Sequence, residues 1–113
     1  MPNLNMKGPF TFTNDVIDDV IQDDIIGNYA LGEVNDKGRL TVSYVGRSDT
    51  DLKSELKQRL DTHPHSHFKA SFPSSVEEAY NKECQNYHDF SPSENEIHPA
   101  KANSNIKCPI CGQ

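Results

Sequence analysis

Apolar residues recur along this chain at helical spacing in three places and alternate at strand spacing in three others. In "TNDVIDDVIQDDII", Val16, Ile17, Val20 and Ile21 return every three to four positions, which predicts a short amphipathic helix. Asn14 is placed to cap it, and Asp15, Asp18 and Asp19 put negative charge in its first turns, where the helix dipole favours it. "GNYALGEV" and "RLTVSYVG" flank "NDKG", whose Asp36-Lys37-Gly38 tolerates the backbone angles of a hairpin connection. Leu40, Val42 and Tyr44 alternate with Thr41, Ser43 and Val45, so the second arm is a strand with one face more buried.

Leu52, Leu56 and Leu60 then stand at i, i+4 and i+8, predicting a helix from Asp49 to about Leu60 with Asp49 or Thr50 as its cap. Pro64 breaks that pattern, and "FKASF" is short and alternating, a third strand. Ser74 or Ser75 caps "SVEEAYNKECQNYHDF", a helix whose inner face carries Val76, Ala79, Tyr80 and Tyr87. From Ser91 the chain becomes polar and Pro-containing, a tail unless something pins it down. The expected fold is α+β, a small three-stranded antiparallel sheet flanked by helices. Residues 1–26 form a lead and an acidic amphipathic helix, 27–90 the core, and 91–113 the tail of one domain.

Length agrees, since 113 residues suffice for one domain with a modest core. With 34% apolar and 25% charged residues, the composition suits a compact domain with polar ends better than a disordered or membrane protein. No apolar run approaches the roughly 20 residues of a membrane helix, so no membrane partner is expected. The opening "MPNLNMKGPF" lacks the apolar core of a signal peptide, which makes the cytoplasm the expected location.

The formal net charge of −6 argues against polyanion binding as a whole-chain property. Its distribution changes that picture. Residues 37–69 hold seven bases (Lys37, Arg39, Arg47, Lys53, Lys57, Arg59, Lys69) against four acids (Asp49, Asp51, Glu55, Asp61), so a mildly basic middle follows an acidic N-terminal segment. Such a middle is compatible with nucleic-acid contact, and equally with an ordinary solvated face.

The order hairpin, helix, strand, helix, with Gly27-Asn28-Tyr29 on the first strand, Tyr44-Val45-Gly46 on the second, a helix after "GRSD" and "EEAYNKE" ending near Glu83, resembles the GIY-YIG nuclease domain over residues 25–98. The interval between the two tyrosine motifs is somewhat longer than usual for that family, and the hairpin loop at "EVNDKG" absorbs the difference. The resemblance implies metal-assisted hydrolysis of phosphodiester bonds in nucleic acid, DNA foremost. It implies Tyr29 and Tyr44 positioning or deprotonating the attacking water, and Glu83 holding one Mg²⁺ or Mn²⁺ ion. Such chemistry needs positioning and charge neutralisation more than covalent catalysis. One position departs from the pattern. Glu55 falls where the family carries its catalytic Arg, and a carboxylate repels the charge that develops on a phosphoryl group. Arg59, four residues on, lies near where the family often has a His. Arg47, beside the second motif, is the candidate replacement for the phosphate contact.

Independently of that resemblance, Cys108-Pro109-Ile110-Cys111-Gly112 has the form of a zinc knuckle, in which a tight turn aims two thiolates at one metal. Cys84 and His88, at i and i+4 on the last helix, complete a Cys3His set for a structural zinc, with His98 in reserve. The alternative is a small buried Cys84 and a free terminal dithiol. His63, His65 and His67 are taken as loop histidines outside the site. Two functions stand side by side: a metal-dependent endonuclease using Tyr29, Tyr44, Arg47 and Glu83, and a catalytically impaired binding module for nucleic acid or protein on the same scaffold.

Overall fold

In a computed structural model, described for residues 4–95, 99–100, 106–110 and 112, the chain forms an α+β fold with a four-stranded antiparallel sheet and three helices. In chain order these are β1 (Lys7–Thr11), α1 (Asn14–Val20), β2 (Gly27–Val34), β3 (Leu40–Ser48), α2 (Leu52–Thr62), β4 (His67–Ser71) and α3 (Val76–Phe90). The sheet order is β1-β4-β2-β3, so β2, which carries Tyr29, is an inner strand.

The sheet has one strand more than the three expected, because β1 pairs with β4 inside what reads as a lead. "KGPFT" offers Gly and Pro, which signal turns, and it lacks apolar alternation. It is a strand only because it sits at the edge, where a missing N–H is tolerated and a lysine discourages further pairing. The lead therefore belongs to the same sheet as residues 27–90.

The helix boundaries also move. α1 is seven residues long, capped by Thr13, whose hydroxyl accepts from the Val16 N–H at 3.3 Å, and not by Asn14. Its apolar face still anchors it, with Ile17 and the following Ile21 buried. α2 starts later than expected, with Asp51 as its cap in place of Asp49 or Thr50, accepting from Ser54 N–H. Ser75 caps α3, one of the two serines expected there. The hairpin turn is closed by Asn35, whose side-chain oxygen accepts from the Lys37 and Arg39 N–H groups, while Gly38 supplies the positive φ of 77°.

Each face of the sheet buries a separate cluster. On one face Tyr29, Leu31, Phe68 and Ala70 pack in one cluster with Ile17, Ile21 and the α2 leucines Leu52 and Leu56. Ala30 and Val45 point the opposite way, under Leu4 and beside Tyr87 and Phe90 of α3. Each such fully buried large side chain contributes about 1.5–3 kcal/mol relative to an exposed one.

Two ion pairs join the acidic segment to α2: Lys53 to Asp23 at 2.8 Å and Lys57 to Asp18 at 2.6 Å. Two lysines of the basic middle are thus paired at the surface with the acidic N-terminal segment. This removes two of the lysines that the sequence offered to a polyanion.

The base of the tail is also tied down. Asn95 clamps β3 with a two-way bond to the Val45 backbone, 2.8 and 2.9 Å, and the Glu94 N–H donates to Ser43 O. Nearby, His65 stands between two carboxylates, Nδ1 3.0 Å from Glu33 and Nε2 2.8 Å from Glu94. Burial works against the imidazolium, but the bonds to Glu33 and Glu94 outweigh it and raise the pKa above the ordinary histidine value. A histidine raised on folding stabilises the fold below its unfolded pKa, about 6.5, and loses that contribution as pH rises through the folded value. The gap in thermal stability between the protein and its His65→Gln variant is therefore expected to be widest near pH 6 and to shrink toward pH 9, measured by a melting series across pH.

Candidate functional site

The two tyrosine motifs meet at one end of the hairpin because β2 and β3 pair in the register Tyr29 to Gly46. A Cβ at Gly46 would run into the Tyr29 ring, and one at Gly27 into Leu52 of α2. Both motif glycines are thus explained by close approach: one lets Tyr29 lie across β3, the other lets α2 dock on the sheet. The Tyr29 and Tyr44 rings stack with centroids 6.1 Å apart, and His63 closes on Tyr44 at 4.3 Å. His63 therefore joins the site, although sequence reasoning left it in a loop.

Tyr29 has no exposed surface. Its hydroxyl donates to Glu55 Oε2 at 2.7 Å, and the same carboxylate oxygen lies 3.5 Å from Arg59 Nε. Burial, reinforced by the Glu55 charge, holds the Tyr29 phenol well above its ordinary pKa, and burial raises Tyr44 as well. Both are neutral phenols at neutral pH. Glu55 thus closes a chain from Arg59 through a carboxylate to a buried tyrosine.

Arg47 and Glu83 come together on the opposite face of the sheet. Arg47 pairs across the strands with Asn28, whose Nδ2 donates to Ala79 O on α3 at 2.9 Å, and Glu83 is one helical turn beyond Ala79. Arg47 Nη1 donates to Glu83 Oε1 at 2.5 Å and Nε to Asp49 Oδ1 at 2.9 Å. Nη2 donates to Ala100 O. The guanidinium also lies over the Tyr80 ring, 5.1 Å from its centroid, a cation–π contact. Every nitrogen of Arg47 thus has a partner, and both side chains of the pair are about nine-tenths buried. Burial pushes the Glu83 carboxyl above its usual range, against the opposing pull of Arg47.

Tyr29, Tyr44, Arg47 and Glu83 thus lie toward one end of the sheet but on opposite faces, the tyrosines on one and Arg47 with Glu83 on the other, and each of Tyr29, Arg47 and Glu83 is buried and engaged. Glu83 as placed does not suit a divalent cation, since its nearest charged neighbour is a guanidinium. Among the described residues no three His, Cys, Asp or Glu side chains are arranged to hold a metal.

Two of the four expected zinc ligands are placed together. Cys84 and Cys108 are buried together with Tyr80 and Ile106, their thiols within hydrogen-bonding reach, and burial pushes the Cys84 thiol up to about 12. His88 instead lines a cleft with Tyr87, Ser91, Pro92 and Asn95. Cys111 and His98 lie outside the described residues.

Besides His63, the site residues that sequence reasoning missed are Tyr80, Asp49 and Ala100. Tyr80 was readable as a neighbour of Glu83, three residues before it on one helix face. Asp49 and Ala100 carry no periodic signal. No family model, curated protein or solved structure matches the chain.

Proposed function

We propose that the chain is a nucleic-acid binding module on a GIY-YIG-like scaffold whose catalytic end is impaired. The observation that carries this reading is Tyr29. A tyrosine with no exposed surface, raised pKa and its proton engaged by Glu55 is unsuited to orient or deprotonate an attacking water. The carboxylate at position 55 and the Arg47–Glu83 pair act in the same direction, one repelling phosphoryl charge and the other occupying the cation meant to meet it. The endonuclease reading draws on the placement of Tyr29, Tyr44, Arg47 and Glu83 toward one end of the sheet, the tyrosines on one face and the ion pair on the other. It requires Glu83 to leave Arg47 for a metal and Tyr29 to become accessible.

Binding is tested by fluorescence anisotropy with labelled single-stranded and duplex DNA and RNA at rising salt. The reading expects a dissociation constant that weakens steadily with salt, as phosphate contacts require. No binding even at low salt contradicts it.

The thiols support a second element of this proposal, a structural zinc drawing on Cys84, Cys108 and Cys111, with His88 or His98 as fourth ligand. Two buried thiols held together between helix and tail suit a thiophilic ion, which would supply folding free energy by closing the loop between them. Native mass spectrometry is expected to show one zinc per chain, lost in the Cys84→Ser variant. A metal-free protein that neither takes up zinc nor gains thermal stability from it contradicts this element.

A further inference from the structure

We propose that the groove at the end of the β1–β4 pair takes single-stranded nucleic acid, with Lys7 and Lys69 contacting phosphates and Phe72 stacking on a base. The proposal rests on the binding reading above and names where that binding takes place.

Cross-strand register locates the groove. Lys69 pairs with Ala30 and Ser71 with Asn28, and directly opposed residues share a face of the sheet. Ala30 packs with Tyr87 and Phe90 of α3, and Asn28 bonds to Ala79 of α3, so Lys69 and Ser71 stand on the α3 side. α3 packs chiefly on β3 and β2, with Leu4 and Met6 of the lead on the same side against Ala30 and Val45. Lys7 pairs instead with Ala70, on the Tyr29 face, so the two lysines flank the end of the β1–β4 pair from opposite faces. There a groove of about 760 Å³ is lined by Asn5, Met6, Lys7, Lys69, Ser71 and Phe72.

This surface carries positive charge not paired within the fold, as do Lys37 and Arg39 at the hairpin turn, but only here, among the described residues, does it border an exposed aromatic ring. Of the seven bases in residues 37–69, Arg47, Lys53, Lys57 and Arg59 are ion-paired within the fold. Lys7 and Lys69 have no ion-pair partner among the described residues. No carboxylate lines the groove. Two lysines without an ion-pair partner among the described residues, lining one groove in a protein of net charge −6, complement an anion.

Phe72 makes the anion a nucleic acid. It is one of two large apolar side chains exposed among the described residues, at 37%, and the Lys7 ammonium stands 5.8 Å from its ring centroid. An exposed aromatic flanked by cations is the arrangement by which proteins hold single strands, the ring stacking on an unpaired base and the cations following the backbone. A duplex hides its base faces and gives such a ring nothing to stack on. Ser71, Asn28 and Arg47 are successive cross-strand neighbours, so the groove lies about two strand spacings, roughly 10 Å, from Arg47. A strand lying in it runs toward the impaired end.

The test is anisotropy with a labelled short oligo-dT or oligo-U on the full chain, comparing the parent protein with Lys7→Gln/Lys69→Gln and with Phe72→Ala. Losing two phosphate contacts is expected to reduce the slope of log affinity against log salt by about 1.4. Phe72→Ala is expected to weaken single-strand binding about five- to one-hundred-fold while leaving that slope unchanged. Because Phe72→Ala touches an aromatic near β4, Phe72→Leu serves as its check: it keeps apolar bulk, and it too is expected to bind weakly. If the parent protein binds and all three variants bind as it does, the groove is wrong and the binding reading survives. If the parent protein binds no nucleic acid, both fall. Equal competition by poly-glutamate and by unlabelled single strand overturns the assignment to nucleic acid.

Discussion

Glu83→Ala is expected to destabilise the fold by about 3–5 kcal/mol, the usual consequence of leaving one member of a buried ion pair without its partner. Arg47 retains Asp49 and the Ala100 carbonyl, but the guanidinium and the Glu83 side chain are only 10% and 11% exposed, so water cannot replace what is lost. The double variant Arg47→Met/Glu83→Leu, which removes both charges and keeps apolar volume, is expected to recover most of that loss. Urea unfolding of the two single variants and the double variant measures the coupling directly. A solvated metal-binding carboxylate behaves differently, since its removal leaves stability nearly unchanged. A loss below about 1 kcal/mol, the range of exposed pairs, would refute the buried pair.

Tyr29→Ala is expected to cost about 3–5 kcal/mol, as for other large aromatic residues removed from a core. The ring fills the space above Gly46, stacks on Tyr44 and packs with the α2 leucines. Tyr29→Phe separates the hydroxyl from the ring and is expected to cost about 1–3 kcal/mol, because the Glu55 carboxylate loses its buried donor and keeps only Arg59. Thermal or urea denaturation of both variants distinguishes a structural tyrosine from a surface one. A water-positioning tyrosine open to solvent would show small losses in both.

Where the sequence pattern was strong, the fold was legible in it. The hairpin, the leucine stripe of α2 and the face of α3 carrying Ala79 and Tyr80 each follow from periodicity and turn chemistry that tertiary packing reinforces. β1 was not legible, since its strand state comes from pairing with β4 and not from its own residues. Cap positions moved by one or two residues because several Asp, Ser and Thr side chains compete for each helix start, and packing decides between them. Tyr29, Tyr44, Arg47 and Glu83 were nameable from motif and order. Their state was not: burial of Tyr29, the Glu55 bond and the enclosure of Arg47 by Asp49, Glu83, Tyr80 and Ala100 depend on contacts among residues 26 to 53 positions apart or on loop residues with no periodic signal. His65 shows the same limit, since its two carboxylate partners come from β2 and the tail.

Glu55 marks where local pattern and function part. Its helical position is ordinary, one residue before Leu56 on a half-exposed flank of α2. Only in the folded protein does it become the acceptor for a buried tyrosine and a partner of Arg59. That role accounts for a carboxylate at this position without any phosphate nearby.

The proposal that this end of the sheet is catalytically impaired is tested most directly by a single-turnover cleavage assay. Protein in excess over labelled branched, single-stranded and duplex DNA is incubated with Mg²⁺ or Mn²⁺, with the Glu83→Gln variant run in parallel. The account predicts bound but intact DNA, with any trace of cleavage equal in the two proteins. Nicking by the parent protein that requires the metal and disappears in Glu83→Gln would contradict it.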